Sequence, residues 1–323
     1  MKKALIAGIT GQDGAHLAKL LLEKDYEVWG TSRDAGSARI GNLRTLGIEA
    51  RVALISMAPN DFRSVYQAVD RSEPDEIYYL SGQSSVGLSF EQPAETLESI
   101  VSGVLNILEV IRFRGGAIRL YNAGSSECFG NTGSQPADEA TPFMPRSPYA
   151  VAKSSAHWLV ANYREAYGLF CCTGILFNHE STTRPERFVT QKIVTAAAQI
   201  AAGNRKKLIL GNLDIARDWG WAPEYVEAMA LMLSTKTPAD YIIATGQTNS
   251  LRDFVSEAFS FFNLDWQEYV ETSDAFRRPN EIQISRADPS RAFSELGWAA
   301  RTFMRRAVHE MCEAAKNSSK MPP

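Results

Sequence analysis

The sequence predicts an α/β fold, a Rossmann-type doubly wound parallel sheet with a smaller C-terminal mixed α/β substrate domain, on three observations. Short apolar runs alternate with helical patterns through the first half of the 323-residue chain. A glycine-rich turn follows the first of these runs directly, where a nucleotide-binding sheet places its phosphate loop. Near residue 180 the rhythm gives way to a basic, threonine-rich loop and isolated short strands.

The elements follow in order. KALIAGI (3–9) reads as a buried strand and HLAKLLLEKDY (16–26) as the helix after it. EVWGTS (27–32) and RVALIS (51–56) are the next strands, and FRSVYQAVDRS (62–72) is helical. EIYYLS (76–81) precedes a long helical pattern ending in NILEVIRF (106–113). AIRLYNAG (117–124) is a strand, SPYAVAKSSAHWLVANYREAYG (147–168) a long helix, and FCCTGILFN (170–178) a further strand. These assignments divide the chain into a dinucleotide-binding domain over 1–180, with returns of the chain near 210–245, and a substrate domain over 181–315. The last residues, 316–323, read as a disordered tail.

Composition narrows the function. A net charge of −3 provides no basic stripe of the kind nucleic-acid binding requires, so an anionic ligand must be held locally. No stretch approaches the roughly 20 apolar residues that span a membrane, and the run after MKK is too short for a signal peptide. Cys128, Cys171, Cys172 and Cys312 show neither metal-ligand nor disulfide spacing, which fits a reducing cytoplasm and predicts no metal. His179 and the C-terminal HEMCE both lack a second histidine at zinc-ligand spacing.

GITGQDG sets Gly8, Gly11 and Gly14 between a strand and a helix. Glycine there permits a tight turn and close approach of backbone to a pyrophosphate, which rests on the helix N-terminus. A packing turn is the bland explanation of the pattern alone; its place after the first strand favours a dinucleotide. After the second strand, Arg33 would suit a 2′-phosphate and the adjacent Asp34 a ribose 2′-hydroxyl, so the local residues leave NADP and NAD open.

Tyr149 and Lys153 lie four apart on one face of the long helix. An ammonium beside a phenol favours phenolate and lowers its pKa toward neutrality, making the tyrosine a usable acid/base. Ser125, at a strand end 24 residues upstream, is placed to hydrogen-bond a reacting oxygen. A lone YxxxK is common by chance; with the glycine loop and the serine it resembles the extended short-chain dehydrogenase/reductase superfamily.

Longer segments sharpen that resemblance to the GDP-mannose 4,6-dehydratase family. They include PDEIYYLSGQSSVGLSFEQP, TPFMPRSPYAVAKSSAHWLVANYREAYG, GILFNHES, GNLDIARDWGWAPEYVEAM and RRPNEIQISRADPSRAFSELGW, and together they run over nearly the whole chain. The resemblance implies oxidation at C4 of a GDP-hexose, removal of the now acidic C5 proton, loss of water from C6 and return of the hydride to C6. It implies Tyr149 as the C4 acid/base, Lys153 as its electrostatic partner, Ser125 as the hydrogen-bonding hydroxyl and Glu127 as the C5 base. Cofactor contacts carried over with it are Gly8, Thr10, Gly11, Gln12, Asp13, Gly14, Arg33, Ser56, Met57, Leu80, Ser81, Gly82, Ser84, Tyr149, Lys153, His179 and Arg184. Sugar-nucleotide contacts carried over are Ser85, Glu127, Asn178, Lys192, Arg217, Arg278 and Glu281; Arg217 beside Asp218 reads equally as a structural ion pair.

The implied cofactor is NADP, with NAD the alternative because Asp34 and Ala35 stand where the family has arginines. The implied assembly is a homodimer through two helices packed as a bundle, or a homotetramer. Other departures are Gly124-Ser125-Ser126-Glu127 for the family's Ser-Thr-Ser-Glu, Ser56-Met57 for Asp-Leu, and Thr182-Thr183-Arg184-Pro185 for Pro-Arg-Arg-Gly. Gln191 and Ala216 replace common basic residues. Competing readings are a GDP-4-keto-6-deoxymannose reductase, a dehydratase of another GDP-sugar such as a GDP-heptose, and an inactive nucleotide-binding scaffold.

Overall fold

A computed structural model describes residues 1–276 and 279–318. In chain order the first half comprises β1 (Lys3–Ala7), α1 (Gln12–Glu23), β2 (Glu27–Ser32), α2 (Gly41–Thr45), β3 (Ala53–Ser56), α3 (Phe62–Ser72) and β4 (Glu76–Tyr79). It continues with α4 (Val86–Glu91), α5 (Pro93–Leu97), α6 (Gly103–Arg114), β5 (Arg119–Ala123), α7 (Pro148–Tyr167) and β6 (Cys171–Leu176). The single helical pattern expected before NILEVIRF is broken. Pro93 restarts the helix after α4, and a π turn over Glu98–Ser102 feeds α6.

The second half comprises β7 (Asn178–Glu180), α8 (Val189–Ala201), β8 (Leu208–Leu210), β9 (Ala216–Trp221), α9 (Ala222–Ser234), β10 (Tyr241–Ile243) and β11 (Thr248–Ser250). It ends with α10 (Leu251–Phe261), α11 (Trp266–Tyr269), β12 (Val270–Thr272), α12 (Ser290–Leu296) and α13 (Met304–Ser318). The amphipathic α13 buries Ala307, Val308, Met311 and Cys312, which keeps the chain helical through residues 316–318 where a tail was expected. Residues 319–323 of that expected tail lie outside the described residues.

The main sheet has seven parallel strands in the order β10-β6-β5-β4-β1-β2-β3. Strands β1, β4, β5, β6 and β10 are buried on both sides, as a parallel sheet covered by crossover helices requires, while the edge strand β3 is partly exposed. Alternation is visible within single strands: Ala4 and Ile6 face the layer holding Leu17 and Leu21 of α1, while Leu5 and Ala7 face Val65, Ile107 and Val160 of α3, α6 and α7. The order reverses at β1 and β4, which opens a crevice at their C-terminal ends where ligands of such sheets bind.

The strand expected over 170–178 divides at Phe177. Residues up to Leu176 pair with β5 and β10, whereas β7 pairs with β9 in a separate three-stranded sheet, β11-β9-β7. That second sheet, with α8, α10 and α13, surrounds its own core of Ile193, Trp219, Phe254, Phe259 and Met311. The peptide on either side of Phe177 therefore joins the two lobes, and the crevice lies against it.

Candidate active site

At the sheet's switch point the backbone is built for close approach. Gly8 takes φ +88°, and a Cβ there would lie 3.0 Å from the Leu80 carbonyl oxygen. A Cβ on Gly14 would collide with the Gly8 carbonyl and sit 2.6 Å from Ile9 Cα. The start of α1, capped by Gly11, is thereby held against the β1 loop with its first-turn N–H groups facing the crevice, a cradle that fits a dinucleotide pyrophosphate. Asn42 Nδ2 donates to the Thr10 carbonyl at 3.0 Å and steadies the loop. Gln12 is turned inward, donating to the His179 carbonyl at 3.2 Å and accepting from Ser181 Oγ at 2.9 Å.

Toward the other end of this crevice, Arg33 follows β2 and is exposed, with no partner among the described residues. Asp34 is engaged by its own loop, accepting from Gly36 N at 2.9 Å and Ser37 Oγ at 2.6 Å. Those hydrogen bonds, Ser37 first, hold its carboxyl below the usual range. Ser56 Oγ accepts from Ala35 N at 3.0 Å, while the Met57 side chain is buried in the core. Ser81 and Gly82 follow Leu80 at the end of β4, where Gly82 takes φ +128°.

The Ser, Glu, Tyr and Lys residues converge on a cavity of about 400 Å³, within the usual range for small-ligand sites. β5 ends at Ala123, and the chain turns through Gly124 into a short 3₁₀ turn, Ser126–Phe129. A Cβ at 124 would stand 2.7 Å from Thr173 Cγ2 and 3.0 Å from the Gly174 carbonyl, so the backbone as it runs here leaves no room for a side chain. Ser125 Oγ accepts from Glu127 N at 3.3 Å. Ser147 caps α7 and Pro148 opens it, so Tyr149 and Lys153 fall on its first two turns.

Lys153 Nζ donates to the Ala123 carbonyl at 2.8 Å and stands 5.9 Å from the centre of the Tyr149 ring. Burial, rather than this lysine, sets the phenol's pKa here. Burial drives the Tyr149 pKa well up, with the Ser125 hydroxyl pulling it partly back, and burial lowers Lys153 itself to about 8. The ammonium is held by a carbonyl at the end of β5.

Three carboxylates line the cavity, and two of them have cationic partners. Glu180 meets Arg184 Nε at 3.1 Å and accepts from Thr190 Oγ1 at 2.8 Å. Asp13 meets His179 Nε2 at 2.9 Å. Glu127, half-buried, has no hydrogen bond or ion pair to its carboxylate among the described residues. It is the carboxylate left available to a ligand.

His179 presents both ring nitrogens to acceptors, Nδ1 to the Phe177 carbonyl at 2.7 Å and Nε2 to Asp13, and its ring stacks on Tyr225 at 4.6 Å. Burial alone would lower its pKa, but the Asp13 carboxylate more than offsets this and the net shift is upward.

Of the remaining predicted contacts, Ser84, Ser85, Asn178, Arg184, Lys192 and Arg217 line the same cavity. Ser85 also caps α4 by accepting from Leu88 N at 3.3 Å. Arg217 is buried and donates to the carbonyls of Ala216 at 2.9 Å and Ile282 at 2.8 Å. The neighbouring Asp218 points elsewhere, accepting from Thr245 N at 2.9 Å. Glu281 is not part of the lining, and Arg278 lies outside the described residues.

Sequence reasoning did not single out Arg187, Phe188, Trp219 or Phe276, all of which line the cavity. Trp219 stood within the ARDWG segment already singled out, and Arg187 and Phe188 within the basic loop. Nothing in the sequence around Phe276 signals its place.

Comparison with known proteins extends this picture. Residues 5–311 match the family model described as GDP-mannose 4,6 dehydratase. The chain is 43% identical over 322 residues to GDP-mannose 4,6 dehydratase 1 of Arabidopsis thaliana, covering 97% of this chain and 89% of the relative. It is 42% identical to GDP-mannose 4,6-dehydratase of Sinorhizobium fredii, covering 96% and 95%. Among solved structures, dTDP-glucose 4,6-dehydratase of Bacillus anthracis in complex with NAD superposes with TM-score 0.86 at 16% identity, covering 99% and 98%. The Pseudomonas aeruginosa protein RMD, complexed with NADPH, gives 0.81 at 21%, covering 98% and 100%. At these identities the structural likeness speaks for the fold.

Proposed function

The chain belongs to the GDP-mannose 4,6-dehydratase family, and we propose that its cavity carries out that family's reaction with the residues assembled above. It is a hydro-lyase that converts GDP-D-mannose to GDP-4-keto-6-deoxy-D-mannose. The observation that carries the assignment of roles is the unpartnered Glu127 carboxylate beside Ser125, Tyr149 and Lys153 in one cavity. A nicotinamide dinucleotide bound on the glycine cradle supplies a hydride acceptor for C4 and a hydride donor for C6, with no net redox change.

The chain's own groups handle the protons. Tyr149 takes the proton of the C4 hydroxyl while Ser125 hydrogen-bonds the same oxygen. Lys153, fixed by the Ala123 carbonyl, stabilises the Tyr149 phenolate that accepts this proton, and its attraction grows once ligand excludes water from the cavity. Glu127 takes the C5 proton, made acidic by the adjacent ketone, and passes it to the C6 hydroxyl as it leaves as water; once C6 is reduced, a proton from solvent restores C5. Asn178, Lys192 and Arg217, which line the same cavity, hold the sugar nucleotide.

We read the dinucleotide as NADP. The exposed, unengaged Arg33 suits a 2′-phosphate, and the Asp34 carboxylate that would repel one is held by Gly36 and Ser37. A homodimer through α6 and α7 is supported by exposed Leu105, Val151 and Trp158 on those helices. Four unpaired buried cysteines support a cytoplasmic location. Among the described residues no helix is long and apolar enough to cross a membrane.

The test is incubation with GDP-mannose in heavy water and catalytic dinucleotide. Formation of the 4-keto-6-deoxy sugar, deuterated at C5 and without net change in dinucleotide absorbance, is expected. Inertness toward GDP-mannose together with stoichiometric dinucleotide oxidation on a 4-keto sugar would identify a reductase instead.

A further inference from the structure

We infer that Arg187 is a binding residue for the diphosphate of the sugar nucleotide, gripping it at the mouth of the cavity; this rests on the sugar-nucleotide reading above. The cations that line the cavity differ in what already engages them. Arg184 meets the buried Glu180 carboxylate at 3.1 Å, which neutralises it. Arg217 directs its fork to backbone carbonyls, and Lys153 is held by the Ala123 carbonyl next to the reacting groups. Lys192 donates to the Ile209 carbonyl at 2.9 Å and lies 4.5 Å from the centre of the Phe276 ring.

Arg187 differs from these. Its polar partner is a neutral hydroxyl, Ser84 Oγ, which accepts from Nη2 at 3.2 Å. The guanidinium otherwise lies over the Phe188 ring at 5.1 Å, and that ring carries Arg184 at 3.7 Å. Arginine has five N–H donors in a planar fork, so one bond to Ser84 leaves a bidentate edge for phosphate. The serine and the phenyl ring fix the direction of that edge, reducing the side-chain entropy lost when an anion binds.

Position separates the two diphosphates the enzyme handles. The dinucleotide's belongs on the glycine cradle, and Gly8, Gly11 and Gly14 are absent from the lining that holds Arg187. Ser84, Ser85 and Arg187 instead line the cavity that holds the Glu127 carboxylate and the acid/base pair. A sugar whose ring lies at Tyr149 and Glu127 keeps its anomeric diphosphate within this cavity, where Arg187 offers the guanidinium edge not already turned to a carboxylate or a carbonyl.

Titration calorimetry of Arg187→Gln and Arg187→Lys with GDP, GMP and NADP tests the assignment. Loss of a charge-assisted contact predicts GDP affinity at least ~10-fold weaker in the glutamine variant, with partial recovery in the lysine variant. GMP, which lacks the outer phosphate, should weaken less than ~3-fold, NADP should be unchanged, and KM for GDP-mannose should rise with kcat nearly constant. Equal GDP affinity in wild type and Arg187→Gln overturns the assignment, and selective weakening of NADP moves the residue to the cofactor and also overturns it. Wild-type protein that binds no GDP overturns the sugar-nucleotide reading itself, and this inference with it.

Discussion

His179 Nε2 lies 2.9 Å from Asp13 Oδ2, and because Nδ1 faces the Phe177 carbonyl at 2.7 Å, both nitrogens act as donors only when the ring is an imidazolium. This charged pair fastens the first turn of α1 to β7, and so joins the dinucleotide crevice to the substrate lobe. Removing one partner of such a hydrogen-bonded pair costs about 2 kcal/mol.

Asp13→Asn should therefore lower the His179 pKa, because burial then acts without the opposing carboxylate. The linkage has a definite sign. A His raised in the folded state contributes stability that is full below its unfolded value, about 6.5, and lost as pH rises through the folded value. Wild type should lose part of its stability advantage over Asp13→Asn in that window. An imidazole titration followed by NMR that leaves His179 unmoved in the variant would show the pair is not coupled.

Lys153 gives the opposite slope. Its folded pKa, about 8, lies below its unfolded value of 10.5, so the unfolded chain binds more protons between the two and stability rises with pH there. Thermal melts at pH 8 to 10 should show wild type gaining relative to Lys153→Met across that interval. A constant difference between the two proteins would mean the ammonium is not disfavoured by burial.

The first lobe was legible because its strands are continuous apolar runs and its glycines have steric reasons, as the contacts around Gly8 and Gly14 bear out. The catalytic set was legible for a similar reason: helical spacing of four puts Tyr149 and Lys153 on one face, and a strand end brings Ser125 to them. The substrate wall was less legible. Its strands β7, β8, β11 and β12 have three residues each, too few for a period to register, and Phe276 reaches the cavity only through the tertiary fold. Environment also escaped the sequence, since the Tyr149 pKa follows from burial that residue spacing does not encode.

Gly14→Ala tests the cofactor cradle. The added methyl meets the Gly8 carbonyl and Ile9 Cα at 2.6 Å, contacts made with backbone that cannot swing aside. The expected outcome is a fall in dinucleotide affinity of at least ~10-fold, together with a lower melting temperature from the displaced α1. Dinucleotide titration by fluorescence reads the first effect, and unchanged affinity would place the pyrophosphate away from this loop.

Tyr149→Phe and Glu127→Gln should separate the two proton transfers. Each removes one acid/base group, worth about 10²- to 10⁴-fold in rate, while leaving the cavity's shape nearly intact. Loss of Tyr149 blocks the chain of events at its start, so single-turnover mixing with GDP-mannose should show no transient dinucleotide reduction. Loss of Glu127 leaves that transient in place, because C4 oxidation does not use the carboxylate, but stops exchange of the C5 hydrogen with solvent. The glutamine variant should thus accumulate reduced dinucleotide and a 4-keto sugar that keeps its C5 hydrogen. C5 exchange at the wild-type rate in Glu127→Gln would remove the carboxylate from the base role, and a wild-type transient in Tyr149→Phe would remove the phenol from C4.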